Sequence, residues 1–236
     1  MPVVYLIPSL LAEDGIRAIP PHITESIQQC QVFFAENERT TRRYFKQLWK
    51  TYLPGQEMVI DDFEWHTIGE DSVEIFRNRL KEGKHIGIVS EAGLPGVADP
   101  GQSLVAIAQE MEADVKPLSG PSSILLALMA SGMNGQHFQF SGYLPIEQQQ
   151  RAKAIRDLES ESARKNCTQI FIETPYRNNQ LTEALLKTCN PSTRLCIAAG
   201  ITGKEEWIKT KRIAEWQKNI PDIHKRPAIF LLYAGK

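Results

Sequence analysis

The chain has 236 residues, 42% of them hydrophobic and 23% charged, a balance that belongs to a folded globular protein and excludes a disordered one. Lys and Arg number 27 against 28 Asp and Glu, a net charge of -1, so a basic coat over the whole surface is excluded and any contact with nucleic acid falls to a local patch. Cys30, Cys167, Cys189 and Cys196 form no C-x-x-C pair, which leaves a zinc ribbon or thioredoxin-like motif without support and suits free thiols in a reducing cytoplasm.

In chain order, short β-branched or apolar runs alternate with helical patterns. Strands are predicted at 3–7, 32–35, 57–60, 86–90, 114–118, 138–141, 169–173, 194–198 and 228–233. Helices are predicted at 21–30, 38–49, 72–81, 103–111, 122–130, 148–161, 178–188 and 213–218. Such alternation predicts an α/β protein with parallel or mixed sheets covered by helices. Nine strands are many for one sheet in this length, so two α/β domains are expected, 1–117 and 118–236, divided in the Gly- and Pro-containing loop after the fifth strand. No basic segment precedes the first strand, and the apolar run 124–130 is too short to cross a bilayer. The expectation is a cytoplasmic protein with no membrane partner.

Five segments carry candidate chemistry. After the second strand comes Ala35-Glu-Asn-Glu-Arg39, with Arg42, Arg43, Lys46 and Lys50 beyond it. On a helix, Arg39, Arg42, Arg43, Lys46 and Lys50 share one face, while Tyr44, Phe45, Leu48 and Trp49 point to a core. That face reads either as a solvated surface or as a stripe for phosphates. The turn Ser90-Glu-Ala-Gly-Leu-Pro-Gly96, continued by Asp99-Pro-Gly101, follows a strand, where ligands of open α/β sheets sit. Its spacing fits neither G-x-G-x-x-G nor a P-loop. Gly120-Pro-Ser122 reads as a helix cap or as donors for an anion or ribose. Phe140-Ser-Gly-Tyr-Leu-Pro145, with Arg151 beyond it, marks a strand end and turn. Glu173-Thr-Pro-Tyr-Arg177 puts a carboxylate at another strand end. His22, His66, His85, His137 and His224 have no metal-ligand or nucleophile spacing, so no metal is expected and a hydrolase triad is disfavoured.

Taken together and in order, these segments resemble the tetrapyrrole methylase family. They are most similar to its branch that methylates a cytidine ribose in small-subunit ribosomal RNA. The resemblance runs from about residue 3 to about 233. It implies a two-domain fold with S-adenosylmethionine in the cleft between the domains, usually in a homodimer. Carried over position by position, the cofactor contacts would be Pro8, Ser90, Glu91, Ala92, Gly93, Leu94, Ser122, Ser123, Ile172 and Glu173, with Ala199 and Pro227 near the last strands. A ribose hydroxyl acceptor must lose its proton to a base or to water, and Glu36, Glu38 and Glu173 are the candidate bases. Arg39, Arg42 and Arg43 would hold ribosomal RNA or the small subunit.

The chain departs from that branch at Ile7-Pro-Ser-Leu-Leu11, at Asn37, at Glu91 and at Gly200-Ile-Thr-Gly-Lys204. The departures leave two further readings open. One is methylation of a small molecule such as a tetrapyrrole. The other is a catalytically reduced module that binds S-adenosylmethionine.

Overall fold

The computed structural model describes residues 1–235, which form two compact units, Met1–Ser122 and a second one from Ser123 onward.

The first unit contains β1 (Val3–Ile7), α1 (Ile23–Gln29), β2 (Val32–Ala35), α2 (Glu38–Tyr52), β3 (Glu64–Thr67), α3 (Ser72–Lys81), β4 (Ile86–Val89), α4 (Gln102–Glu110) and β5 (Asp114–Pro117). Its sheet has the order β3-β2-β4-β1-β5, and every neighbouring pair is parallel. Parallel strands covered on both faces need apolar side chains pointing both ways, and β2 and β4 are buried at every position. Alternate residues feed two cores. Tyr5, Ile7, Phe33 and Val89 pack with Ile23, Ile27, Phe45 and Leu48, whereas Val4, Phe34, Ile86 and Ile88 pack with Phe76, Leu80, Leu104 and Ile107. The helices α1 and α2 therefore cover one face, and α3 and α4 the other.

The second unit contains α5 (Ser123–Ser131), β6 (Phe138–Tyr143), α6 (Gln148–Lys165), β7 (Thr168–Ile172), α7 (Asn178–Thr188), β8 (Arg194–Ala199), β9 (Trp207–Arg212), α8 (Ile213–Trp216) and β10 (Ala228–Tyr233). Its order is β6-β7-β10-β8-β9, with β6 and β7 parallel and the remaining pairs antiparallel. Ile155, Leu181, Leu185, Ile213 and Trp216 pack on one face against Phe171, Ile197 and Phe230. On the other side α5 lies against β9 and β10.

The strand expected at 57–60 is not there. Residues 57–59 are irregular, Ile60 opens a 3-10 turn through Asp62 that buries its side chain, and the strand that pairs with β2 is β3, Glu64–Thr67. The strand β9, which no apolar run in the sequence marks, closes the second sheet.

Candidate functional site

The chain leaves β1 toward β2 and leaves the adjacent β4 toward β5, in opposite directions along the sheet. The carboxyl ends of β1 and β4 thus form a topological switch point, the place where open α/β sheets hold ligands. The two loops that start there are joined. Ser9 and Gly93 make an antiparallel bridge, with Ser9 N–H donating to Gly93 O at 2.8 Å and Gly93 N–H to Ser9 O at 3.3 Å. The buried Ser9 Oγ donates to Ser90 O at 2.8 Å.

Two glycines make this packing attainable. Gly93 has φ +76°, a left-handed conformation that costs a residue with a Cβ. A Cβ on Gly120 would lie 2.1 Å from Pro8 Cβ, so only glycine lets this segment reach β1. Leu94 and Pro121 close the same neighbourhood, Leu94 beside Gly120 and the Pro121 carbonyl beside Gly93. The structure therefore brings Pro8, the loop Ser90–Leu94, Gly120 and Pro121 together. Farther along the loop, the Asp99 carboxylate accepts from Gly96 N–H at 2.9 Å and from Gly101 N–H at 2.7 Å, which fixes its shape.

The start of α2 is fastened to the same loop. Asn37 caps the helix by accepting from Thr40 N–H, and Thr40 Oγ1 donates to Glu91 Oε2 at 3.1 Å. Glu91 N–H donates to Glu36 Oε1 at 3.2 Å. Desolvation is the main cause that raises the Glu36 pKa above the ordinary carboxylate value; Asp99 and Glu91 add to it, and the Glu91 N–H opposes it. A cavity of about 410 Å³ opens here, lined by residues 9–13 from the β1 loop, by Thr40, Thr41, Arg43, Tyr44 and Gln47 from α2, and by Ser90, Glu91 and Ala92.

The three arginines of α2 differ. Arg42 is committed to the fold: it pairs with Asp61 at 3.0 Å and lies over the Trp65 ring, 4.9 Å from its centroid. Arg43 is exposed, reaches Glu13 at 3.4 Å and lines the cavity. Arg39 is exposed, one turn nearer the glycine-rich loop. Glu38 is drawn to Arg42 at 3.9 Å and to Thr67 at 3.5 Å. Thr40, Tyr44 and Ser9, which belong to none of the sequence motifs as site residues, complete this region; Tyr44 reads in sequence only as a core residue.

In the second unit, Ile172, Glu173, Ala199 and Pro227 gather at one end of the sheet, because antiparallel pairing sets Ile172 against Ile229 and Ala199 against Ala228. Gly200 N–H donates to Pro227 O at 2.9 Å. Glu173 is buried; its Oε1 accepts from Thr174 N–H at 2.7 Å and from Arg177 Nη2 at 2.7 Å, while its Oε2 is buried with no hydrogen-bond partner. Ser123 opens α5 in this unit. Among the described residues, no group of three or more His, Cys, Asp or Glu is placed to hold a metal ion, and no helix is long and apolar enough to cross a membrane.

An all-parallel unit with a glycine-rich switch-point loop is thus followed in the chain by a mixed-sheet unit. The structure resembles that of the methyltransferase CobJ with a TM-score of 0.60 at 15% identity, covering 98% of this chain and 92% of the other. It resembles uroporphyrin-III-C-methyltransferase from Thermus thermophilus with a TM-score of 0.56 at 15% identity, covering 99% of this chain and 95% of that one. Residues 17–217 match the family model of tetrapyrrole (corrin/porphyrin) methylases, and the chain belongs to that family.

Among curated relatives, it is 33% identical over 161 residues to ribosomal RNA small subunit methyltransferase I of Buchnera aphidicola, covering 67% of this chain and 55% of the relative. It is 34% identical over 181 residues to the protein of the same name from Micromonospora olivasterospora, covering 73% and 51%. To that of Vibrio cholerae it is 28% identical over 215 residues, covering 91% and 70%. The chain thus spans about half the length of the first two.

Proposed function

We propose that this protein transfers a methyl group from S-adenosylmethionine to a ribose 2'-hydroxyl of small-subunit ribosomal RNA. The observation that carries the reading is the clasp between α2 and the glycine-rich loop, through Thr40, Glu91 and Glu36, which seats an exposed basic helix beside the switch point. The names of the curated relatives support the same substrate class.

The residues present fit the cofactor on one structural count: the buried Glu173 Oε2 lacks a partner, and a ligand carrying N–H or O–H donors would satisfy it. Ser90–Leu94 with Pro8 would hold it in the first unit, and Ile172, Glu173, Ala199 and Pro227 in the second. When bound, it supplies an electrophilic methyl group on a positively charged sulfur. Of the three candidate bases, Glu36 suits the role. Glu38 is drawn toward Arg42, and Glu173 is bonded to Arg177, whereas the raised pKa of Glu36 gives a better proton acceptor from the ribose hydroxyl. Arg39 and Arg43 would contact phosphates, and Arg42 would keep their helix in place. A cytoplasmic homodimer belongs to the same reading, and light scattering tests the dimer.

The test is methyl transfer from labelled cofactor to small ribosomal subunits taken from a strain lacking their native ribose methylation. A new ribose methyl located by mass spectrometry is expected. Binding of cofactor with no transfer to those subunits would overturn the substrate assignment.

A further inference from the structure

One cation of the second unit is buried without an anion. Arg151 is only 9% exposed, and its Nε and Nη1 have no hydrogen-bond partner. An arginine stays protonated in proteins, so it cannot escape the cost of burial by losing its charge. Buried charges are therefore paired or hold a ligand, and each unsatisfied one asks for a reason.

The fold explains how the side chain gets there. Arg151 is the fourth residue of α6, whose buried positions are Arg151, Ile155 and Ser162. Ile155 lies one turn further along the same face and packs with Leu144 and Phe171. The strands β6 and β7 are parallel and α6 connects them, so the helix runs back along them and starts at their carboxyl ends. Arg151 thus lies at the end of this strand pair where α/β units hold ligands. Two more polar atoms of that end are buried without partners, Ser141 Oγ on β6 and Glu173 Oε2 just after β7.

The carboxylates of this region are committed elsewhere. Glu147 caps α6: its Oε1 accepts from Gln149 N–H at 2.9 Å and its Oε2 from Gln150 N–H at 2.8 Å. Those two N–H groups are the main cause that holds the Glu147 carboxyl below its ordinary range, and the Arg151 charge is a smaller one. The Glu173 charge is matched by Arg177, 2.7 Å away. Water would accept from the Arg151 N–H groups but leave the charge unmatched. An oxyanion does both, through the short charge-assisted bonds that guanidinium groups make to carboxylates and phosphates.

We propose that Arg151 seats an oxyanion from outside the chain, a phosphate or a carboxylate group, in the second unit. The site does not depend on which substrate is methylated.

The test follows the arginine Nε–H signals of the full-length protein by heteronuclear NMR, with inorganic phosphate as the probe. The Arg151 signal is the one missing from the Arg151→Lys spectrum. It should move saturably as phosphate is added at constant ionic strength. Arg151→Met keeps the apolar stem and drops the charge. It should weaken phosphate binding about tenfold and raise the urea midpoint measured without phosphate.

Two competitors identify the source. Displacement of phosphate by the demethylated cofactor assigns the site to the cofactor carboxylate, and displacement by an oligoribonucleotide assigns it to an RNA phosphate. Saturation that neither reverses assigns it to free phosphate, and all three uphold the site. An Arg151 signal that phosphate, cofactor product and RNA all leave in place would overturn the proposal. So would a methionine variant with a lower midpoint and unchanged phosphate binding, which would make the guanidinium a structural group completed by water. A signal that moves with protein concentration alone would assign the anion to a second copy of the chain and overturn it too. Methylated subunits with an unresponsive Arg151 would remove this site and leave the proposed function standing. Phosphate at Arg151 without methylation would do the reverse.

Discussion

The Tyr44 hydroxyl, buried on α2, donates to the Pro8 carbonyl at the end of β1 at 2.7 Å. Burial, with Tyr52 nearby, pushes the phenol pKa well up, so the group remains a donor across the working pH range. Tyr44→Phe would strip a buried carbonyl of this donor at the switch point. We expect a loss of about 1–3 kcal/mol of stability, read from the urea midpoint, together with weaker cofactor binding. An unchanged midpoint would mean that water replaces the hydroxyl there.

Gly120→Ala tests the packing on the other side of Pro8. The new Cβ would stand 2.1 Å from Pro8 Cβ, so the segment from Gly120 to Ser122 must back away. Overpacking of this kind costs about 1–3 kcal/mol, and cofactor affinity by calorimetry should fall with it. Gly132→Ala is the control for the substitution itself: no atom lies within 4 Å of its would-be Cβ, although its φ of +67° carries a local strain.

Glu36 gives a pH signature. Its folded pKa is raised, so between the unfolded and folded values the native state binds more protons than the unfolded one, and stability falls as pH rises through that window. Glu36→Gln keeps the acceptor for Glu91 N–H and cannot ionise. The variant should match the wild type at acid pH and exceed it in denaturant midpoint at neutral pH. Its methyl transfer should drop at every pH, and the wild-type rate should rise with pH through the raised Glu36 value. A glutamine variant with wild-type turnover would remove Glu36 as the base.

Arg39, Arg42 and Arg43 should separate. Arg42→Gln breaks the Asp61 pair and uncovers the Trp65 ring, so it should lower thermal stability first. Arg39→Gln and Arg43→Gln should leave stability near wild type and weaken RNA binding. Every phosphate that a variant no longer neutralises reduces the slope of log affinity against log salt by about 0.9 for a duplex or 0.7 for a single strand. Equal salt slopes in wild type and the double variant would take the helix out of the RNA interface.

The four cysteines are free and buried, and burial raises the thiol pKa of each. A thiol reagent such as Ellman's should react slowly with the native protein and with all four after unfolding. Fast native labelling would mean that a unit opens on the timescale of the reaction.

The inner strands were legible in the sequence because parallel strands with helices on both faces read as unbroken apolar runs, as in Val32-Phe-Phe-Ala35 and Ile86-Gly-Ile-Val89. The two strands that escaped, β3 (Glu-Trp-His-Thr) and β9 (Trp-Ile-Lys-Thr-Lys-Arg), are both sheet edges. Edges carry charge against unwanted pairing, which erases the signal that marks an inner strand. Glu57-Met-Val-Ile60 looked more like a strand than its true neighbour, yet only Ile60 is buried. At the site, glycine spacing pointed to the loop. The partners that hold it, Tyr44 to Pro8 and Thr40 to Glu91, join residues far apart in the chain, and no local pattern announces such pairs.

The position of β1 has a consequence for how the first unit is made. This strand lies between β4 and β5, so its main chain stays unpaired during synthesis until Ile86–Val89 has left the ribosome, and it is not flanked on both sides until Asp114–Pro117 follows. Folding of this unit is therefore expected to be late and abrupt rather than progressive, as sequence-distant parallel pairing favours. A nascent chain stalled before β4 would present Val3-Val-Tyr-Leu-Ile7 to chaperones as an exposed apolar strand.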